Sequence, residues 1–381
     1  MSGLGAPRTL MLVVTEDWYL ASHRLPLIRA AVADGWRVIA ATRVRDHLTV
    51  IAEAGAEVVA LPMARESRNL AAEWAAFAAL TRLYREYQPD IVHHVGIKPM
   101  LYGGWAARRA GIPRVVQAFA GLGHFYTDGG ASSAKRALLE RLLRPVTTSR
   151  CTFVLVQNDD DAAILLGHGM ADPLRLRTIR GGGVDIEQFA PSPIPGGIPL
   201  VVLPARMLAS KGVREFVDAA RRCRANGVQA RFALAGRRDE ANPDALSIAE
   251  LTSWVAEGAV EWLDHVADMP ALLRQTSLVV LPSYREGMPK VLLEAAAVGR
   301  PIVTTAVPGC REVVTDGLNG LLVPARDAVA LAAAMQSLLN DPARLQSMGS
   351  AGRRRAEAEF TDAGAAAHYV ALYHEVMQCS A

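Results

Sequence analysis

Short β-branched apolar runs alternate along the chain with longer Ala/Leu-rich segments of helical period. In the first half the runs are Leu10–Thr15, Arg37–Ala41, Glu57–Leu61, Ile91–His94, Arg114–Ala118 and Thr152–Gln157. Helical stretches such as Leu25–Asp34 and Leu70–Tyr87 fall between them. This β–α–β rhythm predicts a parallel sheet covered by helices on both faces. The segment Pro191–Pro199 (PSPIPGGIP) is dense in proline and glycine and predicts a linker. The rhythm then restarts with Leu200–Pro204, Phe232–Ala235, Val260–Leu263, Leu278–Leu281, Ile302–Thr304 and Gly320–Val323, and the chain closes on a helix over Asp362–Gln378. The expected architecture is α/β, with two Rossmann-like doubly wound halves, residues 1–190 and 191–361. Residues 362–381 are expected to return to the first half. In such sheets ligands bind beyond the carboxyl ends of the strands, so two facing sheets would make a cleft for two substrates.

Composition narrows the class without naming a chemistry. At 381 residues, 51 % hydrophobic and 21 % charged, the chain is long enough for two ordinary cores. A net charge of +3 argues against a dedicated nucleic-acid binder, which concentrates a strong basic excess on one face. Cys151, Cys223, Cys310 and Cys379 show no metal-ligand spacing and read as ordinary thiols in a reducing compartment. No apolar stretch approaches the ~18 residues needed to cross a bilayer, and Arg8 leads straight into a strand-like run. The expectation is a cytoplasmic protein with at most peripheral membrane contact.

The chemistry concentrates in two segments. Leu281–Pro324 runs strand, Pro-Ser, turn with Glu286 and Gly287, helix, then Gly299-Arg300-Pro301 and a new strand. Pro289 suits the first position of that helix. Glu294 lies inside it, giving an E-x7-E spacing. Backbone N–H groups at Gly287, Met288 and the helix start would face an anionic or strongly polar group. Glu286 could reach sugar hydroxyls or the charge of a departing leaving group, and Glu294 two vicinal hydroxyls of a ribose. A bare E-x7-E is more often two surface glutamates; the ordered string around it raises the functional reading. The second segment, Leu203–Ala220, puts Arg206 and Lys211 on the loop after a strand. Two cations there could neutralise a diphosphate and stabilise it as it leaves.

These segments resemble glycosyltransferase family 4, and the likeness covers nearly the whole chain. Phe153–Asp161 (FVLVQNDDD), Ser22–Leu27 (SHRLPL) and Lys98-Pro99 are similar to the branch that builds capsules and lipid-linked oligosaccharides. Gly121–Gly130 (GLGHFYTDGG) and Gly236–Pro243 (GRRDEANP) point to bacterial members that extend undecaprenyl-diphosphate-linked sugars. The resemblance implies a GT-B fold and a retaining enzyme. It would move a hexosyl or N-acetylhexosaminyl group from a nucleotide-sugar donor, favouring UDP, to a polyprenyl-diphosphate-linked saccharide. Arg206 and Lys211 would bind the diphosphate, with Gly236 nearby. Glu294 would hold the ribose, and Glu286 the donor sugar. No metal or other cofactor is implied; Asp159–Asp161 reads as a helix N-cap instead of a metal-binding DxD. His23, Lys98 and His124 are candidate acceptor contacts.

The chain departs from the family pattern at three places. Ala120 stands where many members carry a histidine that orients the donor sugar, and His124 is a candidate substitute. Gly181-Gly182-Gly183 replaces an asparagine-glycine before Val184, and Glu16-Asp17-Trp18-Tyr19 replaces a glycine-rich loop. A sugar-nucleotide 2-epimerase of the same fold would need its acid/base carboxylates placed differently. A nicotinamide-dependent dehydrogenase would need G-x-G-x-x-G after the first strand, where the chain reads TEDWYLASH. A binding protein without chemistry is opposed by the intact Arg206, Lys211, Glu286 and Glu294, although Ala120 keeps it open. His93-His94 has no carboxylate spaced to complete a metal site. Ser132–Arg150, with Lys135, Arg136, Arg141, Arg144 and Arg150 among leucines, reads as a basic amphipathic helix. Anionic lipid would attract it by roughly 1 kcal/mol per cation.

Overall fold

A computed structural model of the chain describes residues 7–64, 69–122, 133–240 and 242–380. The chain divides into two compact units, residues 1–183 with 362–381, and residues 184–361. The first unit holds β1 (Thr9–Glu16), β2 (Arg37–Arg43), β3 (Glu57–Ala60), β4 (Ile91–Val95), β5 (Val115–Ala118), β6 (Thr152–Val156) and β7 (Leu176–Thr178). They form one parallel sheet in the order β3-β2-β1-β4-β5-β6-β7. The second unit holds β8 (Leu200–Pro204), β9 (Arg231–Ala235), β10 (Glu261–Trp262), β11 (Leu278–Leu281), β12 (Ile302–Thr305) and β13 (Gly320–Val323). Its parallel order is β10-β9-β8-β11-β12-β13. Each sheet reverses direction beside its first strand, as a doubly wound sheet does. The alternation read from the sequence is therefore realised in both units. Only β7, three residues with partly exposed side chains, had too little apolar signal to be read.

The central strands of both sheets are buried on two faces, which explains their near-continuous apolar runs. In β1, Leu10, Leu12 and Val14 pack beneath the Leu25–Ala33 and Asp362–Met377 helices, while Met11 and Val13 face the Leu70–Tyr87 helix. The C-terminal helix is fixed to the first unit by an unusual group. Arg24 is 2 % exposed and donates to the Tyr369 hydroxyl at 3.1 Å. Its guanidinium lies 5.1 Å from the Tyr369 ring centroid and 5.7 Å from that of Tyr19. Cation–π contact is strongest where water is excluded. On the same helix the Tyr373 hydroxyl lies 2.7 Å from His93 Nδ1, and burial holds His93 neutral by pushing its pKa well below the usual range. His94 sits between the Tyr84 hydroxyl and Gln117, at 2.7 and 3.0 Å, and burial lowers its pKa to about 4. Both histidines are thus packed into the core.

Four sequence readings change. The cysteines are not all free: Cys151 and Cys379 form a disulfide, with Cα atoms 5.8 Å apart and a sequence separation of 228. Only the return of the C-terminal helix beside β6 brings them together, so their spacing gave no sign. Cys223 and Cys310 are free and buried. The cap before the Asp159–Gly167 helix is Asn158, whose side chain accepts from Asp161 N; the three aspartates fill the first turn. Pro289 is the N-cap of the Lys290–Val298 helix and not its first residue. The Pro191–Pro199 segment lies inside the second unit. Arg300, fully buried, explains this by donating to the carbonyls of Ser192 and Pro193, each at 3.0 Å, and of Leu273 at 2.9 Å.

The disulfide makes a direct prediction. In denaturant without reductant, a maleimide should label two of the four cysteines, and all four after reduction. Four labels without reductant would show that Cys151 and Cys379 are thiols in the isolated protein.

Candidate active site

The chemistry-bearing residues of the second unit gather on the loops after β8, β9 and β11, beside the reversal in strand order. Lys211 ends a short 3-10 turn, Ala209–Lys211, and Gly212 follows with φ 70°. A Cβ at Gly212 would lie 2.1 Å from the Pro282 carbonyl oxygen, so only glycine lets these two loops meet. The Tyr284 N–H donates to the Ser210 carbonyl at 2.9 Å and ties them together. Lys211 Nζ consequently pairs with Glu286 Oε1, and the Ser283 hydroxyl donates to the same oxygen at 2.6 Å. The two charged side chains are only 20 % and 11 % exposed, so their attraction is screened less than that of a surface pair.

A second network backs the same turn. The Tyr284 hydroxyl donates to Glu215 at 2.7 Å, and the Arg326 guanidinium lies 4.6 Å from the Tyr284 ring centroid. Burial, with help from Glu215, pushes the Tyr284 phenol up to about 12 and keeps it a donor. Cys310 lies close enough to feel Glu286. Burial first, and the charge of Glu286 second, push its thiol up to about 12, so it stays protonated.

Arg206 extends from the β8 loop with 42 % of its side chain exposed, and donates to Asp239 Oδ2 at 2.5 Å. Asp239 belongs to the loop after β9, which begins at Gly236. A Cβ at Gly236 would be 1.9 Å from the Ala205 carbonyl oxygen, which forces glycine here too. The N-cap of the helix that follows the Glu286 turn, Pro289, makes no side-chain cap hydrogen bond. Met288 packs into the core before it. Glu294 is 9 % exposed, with Lys290 Nζ 3.6 Å from its carboxylate. Burial raises the pKa of Glu294, and Lys290 opposes the shift.

The structure thus joins Lys211 with Glu286, but pairs Arg206 with Asp239 and Glu294 with Lys290. Ser283, Tyr284 and Asp239 are not among the sequence-derived candidates, although the first two lie within Leu281–Pro324 and the third within Gly236–Pro243. Their roles depend on which loop each side chain meets. The acceptor candidates belong to the first unit. His23 stacks on Tyr19 with ring centroids 4.4 Å apart, and its Nδ1 lies 2.6 Å from the Ser22 hydroxyl. Lys98 is engaged by Glu73 at 2.7 Å and the Ala64 carbonyl at 2.9 Å. His124 lies outside the described residues. Among the described residues no three His, Cys, Asp or Glu side chains gather as a metal site.

A cation and a carboxylate on adjoining loops, with a polar helix start beside them, suit an anionic leaving group attached to a hydroxyl-rich partner. Comparison with known proteins gives the same class. The family model described as "Glycosyl transferase 4-like" matches residues 9–153, and that described as "Glycosyl transferases group 1" matches residues 198–341. The chain is 28 % identical over 332 residues to N,N'-diacetylbacillosaminyl-diphospho-undecaprenol alpha-1,3-N-acetylgalactosaminyltransferase of Campylobacter jejuni, covering 84 % of this chain and 86 % of the relative. It is 26 % identical over 275 residues to UDP-Gal:alpha-D-GlcNAc-diphosphoundecaprenol alpha-1,3-galactosyltransferase of Escherichia coli, covering 68 % of each. Anabaena Alr3699/HepE, solved in complex with UDP and glucose, matches the fold with a TM-score of 0.79 at 18 % identity, over 97 % of this chain and 100 % of that one.

Two outcomes test this geometry. Gly212→Ala should destabilise the protein by on the order of 1–3 kcal/mol in urea unfolding, because the residue is strained as well as crowded. An unchanged midpoint would mean that the loops do not need their close approach. Glu294 deprotonates at higher pH in the folded than in the unfolded chain, so the folded state binds more protons and loses stability as pH rises from 4.5 through the raised value. Glu294→Gln should flatten that decline in unfolding midpoint measured across the same range.

Proposed function

The chain belongs to the family 4-like glycosyltransferases, and from that premise we propose that it is a retaining enzyme using a UDP-sugar. It transfers a hexosyl or N-acetylhexosaminyl group to a polyprenyl-diphosphate-linked saccharide. The observation that carries this reading is the Lys211–Glu286 pair at the strand ends of the second unit, with Ser283 on the same carboxylate oxygen. The two bacterial relatives are named for undecaprenyl-diphosphate-linked acceptors, and one of them for a UDP-linked donor.

Lys211 and Arg206 take the donor diphosphate, helped by the helix start after Gly287, Met288 and Pro289. Arg206 must exchange Asp239 for phosphate as the donor binds. Glu294 accepts from the ribose hydroxyls. Glu286, fixed by Ser283, faces the sugar near its reacting carbon. The bond from that carbon to the diphosphate oxygen breaks with oxocarbenium character, and the acceptor hydroxyl attacks from the same side, passing its proton to the departing diphosphate oxygen. The growing negative charge on the diphosphate falls on Lys211 and Arg206, so no metal is required. The first unit receives the acceptor, with His23 and Lys98 as contacts. The helix Ser133–Thr147, which exposes Lys135, Arg141, Leu138 and Leu142, rests at the membrane surface.

Thermal unfolding with UDP, GDP, ADP, NAD and UDP-sugars, without metal, tests the donor. UDP at 100 times its dissociation constant should add about 2.7 kcal/mol, on the order of 5–10 °C in midpoint. The shift should vanish in Lys211→Ala. Turnover should fall by on the order of 100-fold or more in Lys211→Ala and in Glu286→Ala. Near-normal turnover in either variant would sink the role assigned to it, and a shift with NAD alone would sink the donor class.

A further inference from the structure

Tyr284 grips the Lys211 loop at two points, one on either side of the lysine. Its backbone N–H donates to the Ser210 carbonyl at 2.9 Å, one residue before Lys211. Its hydroxyl donates to Glu215 Oε1 at 2.7 Å, in the first turn of the helix Val213–Ala225 and four residues beyond Lys211. Tyr284 itself stands two residues before Glu286. One residue therefore ties both ends of the segment that carries the cation to the turn that carries the carboxylate. A single tie would let the loop pivot at Gly212, the glycine at φ 70°. Two ties fix its direction as well as its distance.

The surroundings hold Tyr284 in this pose against local preference. Glu215 Oε2 is buried and has no hydrogen-bond partner among the described residues, so this carboxylate leans on the phenol at its other oxygen. A buried acceptor left without a donor is unfavourable. Arg326, on the loop after β13, brings its guanidinium to 4.6 Å from the Tyr284 ring centroid. It does so at φ 64°, a left-handed backbone that side chains with a Cβ seldom adopt. One residue before Tyr284, the Ser283 carbonyl accepts from the Thr305 hydroxyl of β12 at 2.5 Å. Strain of this kind persists only where the neighbouring structure enforces it, and it gathers at functional sites.

We propose that Tyr284 is a positioning residue for sugar transfer: through Ser210 and Glu215 it holds Lys211 at the distance and angle from Glu286 that the departing diphosphate requires. The inference rests on the donor role given above to Lys211 and Glu286. Attraction of the donor depends on charge, which Lys211 keeps wherever its loop points. Stabilising the charge that develops as the sugar–oxygen bond breaks depends on a cation already in place. Loss of the tie therefore lowers kcat and leaves KM for the donor nearly unchanged.

The test is UDP release from UDP-glucose, UDP-galactose, UDP-N-acetylglucosamine and UDP-N-acetylgalactosamine, with water as acceptor, followed on the donor that the wild type turns over fastest. Tyr284→Phe keeps the ring and the N–H to Ser210 and removes only the hydroxyl. Its kcat should fall by on the order of 10- to 100-fold, with KM within about threefold of wild type. Glu215→Leu should match it. The double variant Tyr284→Phe, Glu215→Leu should be no slower than either single variant, because all three lack the same bond. It also buries no unpaired carboxylate, so it carries the comparison if a single variant fails to fold. Glu215→Gln keeps an acceptor for the hydroxyl and should restore most of the turnover, which a merely structural role would not require. The proposal is overturned if Tyr284→Phe turns over as the wild type does, if its loss lies in KM, or if Glu215→Gln is as slow as Glu215→Leu. Near-normal turnover in Lys211→Ala, or no UDP from any of the four donors, would remove the donor reading and this inference with it. Loss in Lys211→Ala beside normal turnover in Tyr284→Phe would remove this inference alone.

Discussion

The second unit is organised around the close approach of two backbones. Gly212 and the Pro282 carbonyl can touch only because no Cβ intervenes, and that contact decides what the neighbouring side chains can do. It sets Lys211 against Glu286, with Ser283 donating to the same carboxylate oxygen. A longer separation would leave a lysine and a glutamate each solvated on its own loop, where ion pairs contribute little. Gly236 repeats the device one strand away, drawing the β9 loop onto Ala205 and bringing Asp239 to Arg206. Both glycines lie at the carboxyl ends of parallel strands, where doubly wound sheets hold their ligands.

The first unit depends on a different constraint, a cation buried among tyrosines. Arg24 is held by the Tyr369 hydroxyl and by the faces of Tyr19 and Tyr369. Removing water from a guanidinium is costly, so its partners must stay in place. Two of those contacts come from the C-terminal helix, which also meets His93 through Tyr373. The Cys151–Cys379 bond and the Arg177–Glu375 ion pair fasten the end of that helix. This segment therefore belongs to the first unit although the whole of the second separates it in sequence from the rest of the first.

Strand and helix positions were legible because burial on both faces of a parallel sheet leaves a local signature, an unbroken apolar run. Leu200–Pro204, Leu278–Leu281 and Gly320–Val323 have the limits expected of them. β7 was missed because at three partly exposed residues it has no such run. In the site, Lys211 and Glu286 stood out because a loop after a strand and a turn before a helix are local features. Asp239, Ser283 and Tyr284 lie on loops of the same unit. Nothing local told which partner each would meet.

The sequence by itself determined the two doubly wound sheets, the loops on which the charged residues sit and, by its resemblance, the family. These follow from periodicity, turn residues and motif order, which act over a few residues at a time. Tertiary structure decided the rest. It paired Arg206 with Asp239, drew Pro191–Pro199 into the second unit through Arg300, and closed a disulfide across a sequence separation of 228. It also set Tyr284 against Ser210 and Glu215, on either side of Lys211. Each of these depends on distances between segments far apart in the chain, and such distances are set only when both segments are packed against the same core.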